Sequence, residues 1–180
     1  MQQNKLPLRF RIFTAVGAVM ALTVAVYILY AAGLPEEAES PVGSVRPFTA
    51  DTLQGGTITV DETSSRPLIL NFWVTWCVPC VIEMPRLQQA FDKYRSDGLV
   101  VVGINAGQED SRDAEAFAIS QEINFPMVMD DGRMIENLYD VRGVLPTTVF
   151  IDEQGNIQEI IYGVLTEDSL SEGLGKIGLR

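Results

Sequence analysis

The sequence predicts an α/β domain in which a central mixed β-sheet carries helices on both faces, preceded by an N-terminal transmembrane helix. Apolar, β-branched runs alternate along the chain with segments whose apolar residues recur at helical spacing. The last two runs follow one another without an intervening helix, which indicates antiparallel pairing at the end of a sheet that begins parallel. A charge-free stretch near the N-terminus accounts for the membrane helix.

The charge-free stretch covers residues 12–32. As a helix it is about 30 Å long, which matches the hydrocarbon core of a bilayer. Lys5, Arg9 and Arg11 precede it and glutamates follow it, so the positive-inside rule places residues 1–11 in the cytoplasm and the remainder outside. A cleaved signal peptide is the alternative, but its apolar core usually has only about 7 to 15 residues. We expect an uncleaved, single-pass anchor in the cell membrane.

A tether is expected between the anchor and the domain. Residues 33–47 are rich in Pro, Gly, Ser and Glu and show no apolar period, so the folded domain is assigned to residues 48–180. The chain has a net charge of −11, which argues against nucleic-acid binding, since that function favours clustered Lys and Arg. Export places the domain where thiols tend to oxidise.

The first half of the domain contains three predicted strands and one long helix. The segment GTITV, which ends at Val60, is a strand and forms half of a hairpin whose turn lies at glycines 55 and 56. The apolar run 67–74 is the second strand, and the β-branched run 99–105 is a strand buried on both faces. Between these two runs, apolar residues at helical spacing predict a helix that ends at residues 96–98.

The second half continues the alternation and then changes to a hairpin. We expect a helix at 111–122, a short strand at 127–129 and a weaker helix at 133–139. The segments TTVFID and IQEIIYG are two strands joined by a turn at 153–156. A terminal helix begins at Thr166 or Ser169.

The only cysteines, Cys77 and Cys80, lie between a predicted strand and a predicted helix. Two small core residues are one interpretation, because free cysteine is often buried. The carboxyl ends of strands are, however, where α/β proteins build their sites, and a helix N-terminus stabilises a thiolate. The pKa of Cys77 should therefore fall from about 8.5 toward 7 or lower. We expect Cys77 to attack and Cys80, one turn further along, to resolve.

A metal site is the third interpretation of the cysteine pair. Structural zinc uses four Cys or His ligands and copper favours His, whereas this chain has no histidine and no further thiol. Covalent haem attachment needs His after the second cysteine, and Val81 stands there. We expect neither a metal nor another cofactor.

The segment NFWVTWCVPC, followed by VIEMP, and the later segment GVLPTTVFID resemble the thioredoxin superfamily. Within that superfamily they resemble the membrane-anchored TlpA and ResA type. The resemblance extends over about residues 48–177 and implies a thioredoxin-like fold. It also implies a thiol–disulfide oxidoreductase that uses a Cys77–Cys80 dithiol and disulfide cycle.

The resemblance assigns roles to residues around the cysteines. Trp76 corresponds to the tryptophan that shapes the surface around the attacking sulfur. Pro79 lies between the cysteines, lacks an N–H and tunes the reduction potential. Pro146 corresponds to a cis-proline beside the disulfide, and the backbone of Leu145 before it is then free to pair with a substrate strand. Without the resemblance, Pro146 would be interpreted as a proline that starts a strand.

The resemblance also indicates which residue accepts a proton from the resolving cysteine. Thioredoxin carries an aspartate on the strand before the motif, where this chain has Asn71. The TlpA and ResA type carries its acid three residues after the second cysteine, which is Glu83 here. Apolar neighbours of Glu83 favour a desolvated carboxyl with a raised pKa. The alternative is an ordinary surface carboxylate.

Three functions follow from these observations. The leading one is extracytoplasmic reduction of protein disulfides, with the haem-binding cysteines of apocytochrome c as the substrate that the resemblance implies and a membrane thiol–disulfide electron donor as the partner. The second is a thiol peroxidase of peroxiredoxin type, although Val74 stands where that pattern requires Thr. The third is a non-enzymatic binding module or copper chaperone.

Overall fold

A computed structural model of the chain describes residues 19–28, 42–62, 65–141 and 143–180. The chain divides into two compact units, Met1–Glu39 and Ser40–Arg180. In the first unit, residues 19–28 are helical and expose their apolar side chains. Across the described ranges no helix has both the length and the apolar character to cross a bilayer.

The remainder of the predicted anchor at 12–32 lies outside the described residues, as do the predicted cytoplasmic segment 1–11 and part of the tether. The transmembrane helix and the cytoplasmic segment therefore stay predictions.

The second unit contains eight strands and four α-helices among the residues that the structure describes. The strands are β1 (Gly43–Ser44), β2 (Phe48–Asp51), β3 (Thr57–Val60), β4 (Leu68–Trp73), β5 (Val100–Asn105), β6 (Met127–Met129), β7 (Thr147–Ile151) and β8 (Asn156–Tyr162). The helices are α1 (Val78–Tyr94), α2 (Ser111–Ser120), α3 (Met134–Leu138) and α4 (Glu167–Lys176), with short 3₁₀ turns at Arg95–Asp97 and Asp131–Arg133.

Six of these strands form one mixed sheet in the order β1-β8-β7-β4-β5-β6. β4 pairs in parallel with β5, and β5 pairs in parallel with β6, while β7 is antiparallel to both β4 and β8. β2 and β3 form a separate antiparallel hairpin whose turn contains Gly55 and Gly56, both with positive φ. The mixed α/β sheet and the hairpin turn expected from the sequence are thus confirmed.

The central strand β4 is buried along its whole length because helices cover both faces of the sheet. Successive side chains alternate between the faces. Ile69 and Trp73 pack in a core with α1, α2 and α4, whereas Leu70 and Phe72 pack in a second core with α3 and the hairpin. Asn71 shares the face of Ile69 and Trp73, so its buried side-chain amide faces α1.

The helices begin at polar caps close to the positions that the sequence indicates. α2 begins after Asp110, whose carboxylate accepts the backbone N–H of Arg112 at 2.9 Å. α4 begins after Thr166, which forms a capping box with Ser169. Both predicted helix starts therefore lie within a residue or two of the observed ones, as expected when a side chain satisfies the free N–H groups of the first turn.

The folded domain begins earlier than composition alone indicated. Gly43 and Ser44 pair with β8, and Val45 is buried. The hydroxyl of Tyr139 accepts the backbone N–H of Arg46 at 3.0 Å and donates to its carbonyl at 2.9 Å. Residues 43–46, which the sequence assigned to the tether, therefore pack on the sheet. Pairing with a distant strand stabilises them, and local composition carries no signal of such a contact.

Candidate active site

The two cysteines lie where β4 ends and α1 begins, and they form a disulfide with Cα atoms 5.2 Å apart. Cys77 is the N-cap of α1, and the backbone N–H of Cys80 donates to its Sγ at 3.3 Å. Cys77 keeps 7% of its surface exposed, whereas Cys80 is 0% exposed. The exposed part of the pair therefore belongs to Cys77, and Cys80 is covered completely.

A tight turn carries the chain from β4 into this cap. The backbone N–H of Cys77 donates to the carbonyl of Val74 at 3.3 Å. Pro79 occupies the first helical turn, where its missing N–H leaves no intrahelical bond unmade. The N–H groups that remain in this turn are those that stabilise a thiolate at position 77.

Exposed apolar side chains lie near Cys77 in the chain. Trp76 is 71% exposed, and Val78 and Ile82 are also exposed. Trp73, by contrast, is fully buried and packs on Phe117 with ring centroids 4.8 Å apart. The two tryptophans thus differ in position: Trp76, next to Cys77 in the chain, lies on the surface, and Trp73 lies in the core.

The Leu145–Pro146 peptide bond is cis, as the resemblance implied. It directly precedes β7, and Thr147 pairs with Phe72 at the end of β4 that leads to the cysteines. Leu145 is half-buried and packs against the core cluster that contains both cysteines. Strand register therefore brings the proline loop to the same edge of the sheet as the disulfide.

Glu83 lies on α1 one turn after Cys80, and both side chains are 0% exposed. Residues three apart on a helix share a face. The carboxyl accepts the side-chain N–H of Asn71 on Oε1 and the backbone N–H of Leu165 on Oε2, each at 2.7 Å. Asn71 also donates to Thr148 Oγ1 at 3.0 Å, on the neighbouring strand β7. Glu83 is therefore part of a buried polar cluster and not a surface carboxylate.

Burial raises the pKa of Glu83 above its ordinary value of 4.5. Removal of the carboxylate from water is the largest effect, and the hydrogen bonds from Leu165 and Asn71 and the charge of Arg86 offset only part of it. A carboxyl in this state takes up a proton more readily than one in water. This is the property required of a group that accepts the proton of a buried thiol.

A second carboxylate, Glu109, contacts the turn that leads to Cys77 and was not anticipated from the sequence. It accepts the backbone N–H of Thr75 at 3.0 Å, and it also accepts the hydroxyl of Thr75 and the side-chain N–H of Asn105. Asn105 is the last residue of β5. The available sequence signal was Asn105, a polar residue at the carboxyl end of a central strand. No motif linked Asn105 or Glu109 to the cysteines.

Comparison with known proteins agrees with this geometry. The model of the AhpC/TSA family matches residues 43–160. The chain belongs to the AhpC/TSA family.

Three similar proteins narrow the activity of this AhpC/TSA family member. The thiol-disulfide oxidoreductase ResA of Geobacillus thermodenitrificans (strain NG80-2) is 34% identical over 84% of this chain and 86% of its own. ResA of Geobacillus kaustophilus (strain HTA426) is 32% identical over 98% of both chains. A secreted disulfide oxidoreductase of Mycobacterium tuberculosis, homologous to Escherichia coli DsbE, is 27% identical with a TM-score of 0.63, over 71% of this chain and 94% of that chain.

These similarities and the cysteine pair establish the fold and the class of reaction. The fold is thioredoxin-like, with the mixed sheet expected from the sequence. The chain is a thiol–disulfide oxidoreductase of the ResA and DsbE type, with Cys77 and Cys80 as its C-x-x-C pair.

Proposed function

We propose that the domain reduces protein disulfides outside the cytoplasmic membrane, with Cys77 as the attacking residue, Cys80 as the resolving residue and Glu83 as the proton acceptor. The observation that carries this proposal is the difference in burial and surroundings between Cys77 and Cys80. Cys77 keeps some exposed surface, whereas Cys80 is fully buried and shares a helix face with Glu83, a buried carboxyl with a raised pKa.

The proposed reaction passes two electrons to the substrate. The Cys77 thiolate attacks a substrate disulfide, one substrate sulfur leaves as a thiolate, and a mixed disulfide forms. The Cys80 thiol then gives its proton to Glu83 and attacks the sulfur of Cys77. The second substrate sulfur leaves, and the Cys77–Cys80 disulfide forms as in the structure.

The substrate surface in this proposal consists of the exposed side chains beside Cys77 and the proline loop. Trp76 and Val78 offer apolar contact to a segment that is not folded. The backbone of Leu145, before the cis-proline, pairs with the same segment. The haem-binding cysteines of apocytochrome c are the proposed substrate, on the strength of the family resemblance.

The proposed location is the outer face of the cell membrane, with the N-terminus in the cytoplasm. The charge-free stretch at 12–32, with basic residues before it and glutamates after it, supports an anchor. The secreted mycobacterial neighbour supports an exported domain. A membrane thiol–disulfide protein then resets Cys77 and Cys80 to the dithiol form.

The reduction potential of the Cys77–Cys80 couple tests the direction of electron flow. A value near −270 mV or lower is expected for a reductant, whereas a value near −120 mV would identify an oxidant. The measurement uses the exported domain equilibrated with glutathione or dithiothreitol buffers. An oxidant's potential would overturn the proposed direction and leave the reaction class intact.

Serine variants of the two cysteines test their separate roles. We expect Cys77→Ser to abolish reduction of insulin and Cys80→Ser to accumulate a mixed disulfide between Cys77 and substrate, since only the resolving step is lost. Mass spectrometry after an acid quench identifies the trapped species. Full insulin-reducing activity in Cys77→Ser would contradict the mechanism.

Peroxide consumption by the reduced domain distinguishes a thiol peroxidase. Val74 is apolar and buried where the peroxidase pattern has Thr. We expect consumption of hydrogen peroxide to be far slower than reduction of insulin. Comparable rates would move the assignment to a peroxidase.

A further inference from the structure

Thr75 lies in the turn between β4 and the N-cap of α1, and its two polar donors both bond to one carboxylate. Its backbone N–H reaches Glu109 Oε1 at 3.0 Å, and its hydroxyl reaches Glu109 Oε2. This is the turn closed by the bond from Cys77 N–H to the Val74 carbonyl at 3.3 Å. Glu109 therefore holds the turn that sets the position of Cys77.

Glu109 lies in the loop after β5 and is itself held by Asn105, the last residue of that strand. The side-chain N–H of Asn105 donates to Glu109 Oε1, and Asn105 Oδ1 accepts the backbone N–H of Gly107 at 3.1 Å. Asn105 is 0% exposed, so its amide cannot exchange these partners for water. The buried amide of Asn105 thus orients the Glu109 carboxylate, and both carboxylate oxygens accept hydrogen bonds from Thr75.

The two loops also touch directly. A Cβ added to Gly107 would lie 2.8 Å from Cγ1 of Val74, closer than real side-chain contacts come. The loop after β5 therefore packs against the residue that starts the cysteine turn. A close approach of this kind requires glycine and makes the turn depend on the neighbouring loop.

We propose that Glu109 is a positioning residue of the oxidoreductase: through Thr75 it fixes the turn that keeps Cys77 in its N-cap position. The proposal rests on the proposed function for its assignment of Cys77 as the attacking sulfur. In the reduced protein the N-cap position lets the first-turn N–H groups stabilise the Cys77 thiolate. A looser turn would weaken that stabilisation.

Loss of the Glu109 charge and loss of the N-cap position of Cys77 would shift the pKa of Cys77 in opposite directions. A carboxylate near a thiol raises the thiol pKa through its charge, so loss of the charge alone would lower the pKa of Cys77. Loss of the N-cap position would raise it. Glu83, the buried carboxyl one turn after Cys80, is unchanged in every variant used below.

The variants separate the two effects. Glu109→Gln removes the charge but can keep all three contacts, since its Oε1 accepts Thr75 N–H and Asn105 and its amide donates to the Thr75 hydroxyl. Glu109→Ala removes charge and contacts together. Thr75→Val removes only the hydroxyl bond, and Glu115→Ala deletes an exposed carboxylate on α2 as the matched control.

The experiment follows the alkylation rate of the reduced domain by iodoacetamide from pH 5 to 10, with mass spectrometry to identify the modified cysteine. For Glu109→Ala we expect a rate about threefold lower at pH 7 and an unchanged rate well above the thiol pKa, since the thiolate is the reacting form. Glu115→Ala should match the parent chain, and Glu109→Gln, which loses only the charge, should react at the parent rate or faster. Thr75→Val should shift in the same direction as Glu109→Ala by less.

Two outcomes overturn the proposal. Faster alkylation at pH 7 in both Glu109 variants would show that only the charge matters, and a parent-like profile in Glu109→Ala would show that the contacts do not position Cys77. If Glu109→Ala does not fold, the profile of Thr75→Val decides, and no shift in it contradicts the proposal. Alkylation found at Cys80 would instead contradict the proposed function, independently of Glu109.

Discussion

Two carboxyl groups lie at opposite ends of β7 and differ in how many hydrogen bonds they receive. Glu83, beneath the cysteines, is 0% exposed and accepts bonds from Asn71 and Leu165. Asp152, just after β7, is 9% exposed. It accepts four bonds, from the backbone N–H groups of Gln154 and Asn156 and from the side chains of Asn156 and Gln158.

The number of donors decides the direction of each pKa shift. Burial is the largest single effect on both groups and raises both pKa values. At Asp152 the hydrogen bonds together outweigh burial, so its pKa lies below the ordinary 3.8. At Glu83 burial prevails. A carboxylate with four donors thus stays ionised and shapes a turn, whereas a buried one with two donors is suited to exchange a proton.

The largest effect is expected when Glu83 is made neutral. Glu83→Gln should slow attack by Cys80 on a mixed disulfide by roughly 10²-fold, the usual contribution of a positioned general base. The measurement is a single-turnover release of a chromogenic thiol from Cys77. Asp152→Asn is the matched control and should keep the parent rate. Equal rates in Glu83→Gln and the parent chain would remove Glu83 from the mechanism.

Replacement of Asp152 should lower the free energy of unfolding rather than the reaction rate. Asp152→Asn turns one acceptor oxygen into a donor facing Asn156 and Gln158, and we expect a loss of about 1–2 kcal/mol at pH 7. Because the pKa of Asp152 is lowered in the fold, this loss should shrink as the pH falls from 3.8 through the folded-state pKa. Urea unfolding at several pH values measures it. A loss that does not depend on pH would contradict the assignment.

Glu83 should show the opposite pH dependence. Its pKa is raised in the fold, so the folded protein binds the proton more tightly than the unfolded chain. The parent chain should therefore lose stability as the pH rises from 4.5 through the folded-state pKa. Relative to the parent, Glu83→Gln should become more stable over the same interval. A relative stability that stays flat would mean that burial does not control this carboxyl.

A smaller effect is expected from the amide that supports Glu83. Asn71→Ala removes one of the two donors, so the pKa of Glu83 should rise further and the pH profile of the resolving step should shift upward by about one unit. Thr148→Val is the control, because it leaves the bond between Asn71 and Glu83 intact. A downward shift in Asn71→Ala would show that Asn71 does not stabilise the carboxylate.

The strands, the helix starts and the cysteine pair could be predicted from local signals. Apolar runs marked β4 and β5, and Asp110 and Thr166 lie at or near the predicted helix starts. The family pattern pointed to Glu83 as well. These features depend on a few neighbouring residues, whose spacing and polarity are visible along the chain.

The contacts that complete the site depend on residues far apart in the chain. Asn71 could be noted as a replacement for an aspartate, but its bond to Glu83 follows from the face that β4 turns to α1. Glu109 meets Thr75 only because β4 and β5 are neighbours in the sheet. Gly43 pairs with β8 for a similar reason. No pattern of neighbouring residues along the chain predicts such long-range contacts.

A carboxyl ¹³C NMR titration of the oxidised domain tests the contrast between the two groups most directly. Glu83→Gln and Asp152→Asn assign the two resonances by their disappearance. We expect the midpoint of Glu83 above its ordinary 4.5 and the midpoint of Asp152 below its ordinary 3.8. A Glu83 midpoint at or below 4.5 would contradict the account, since a carboxyl that ionises so readily would be a poor proton acceptor for Cys80.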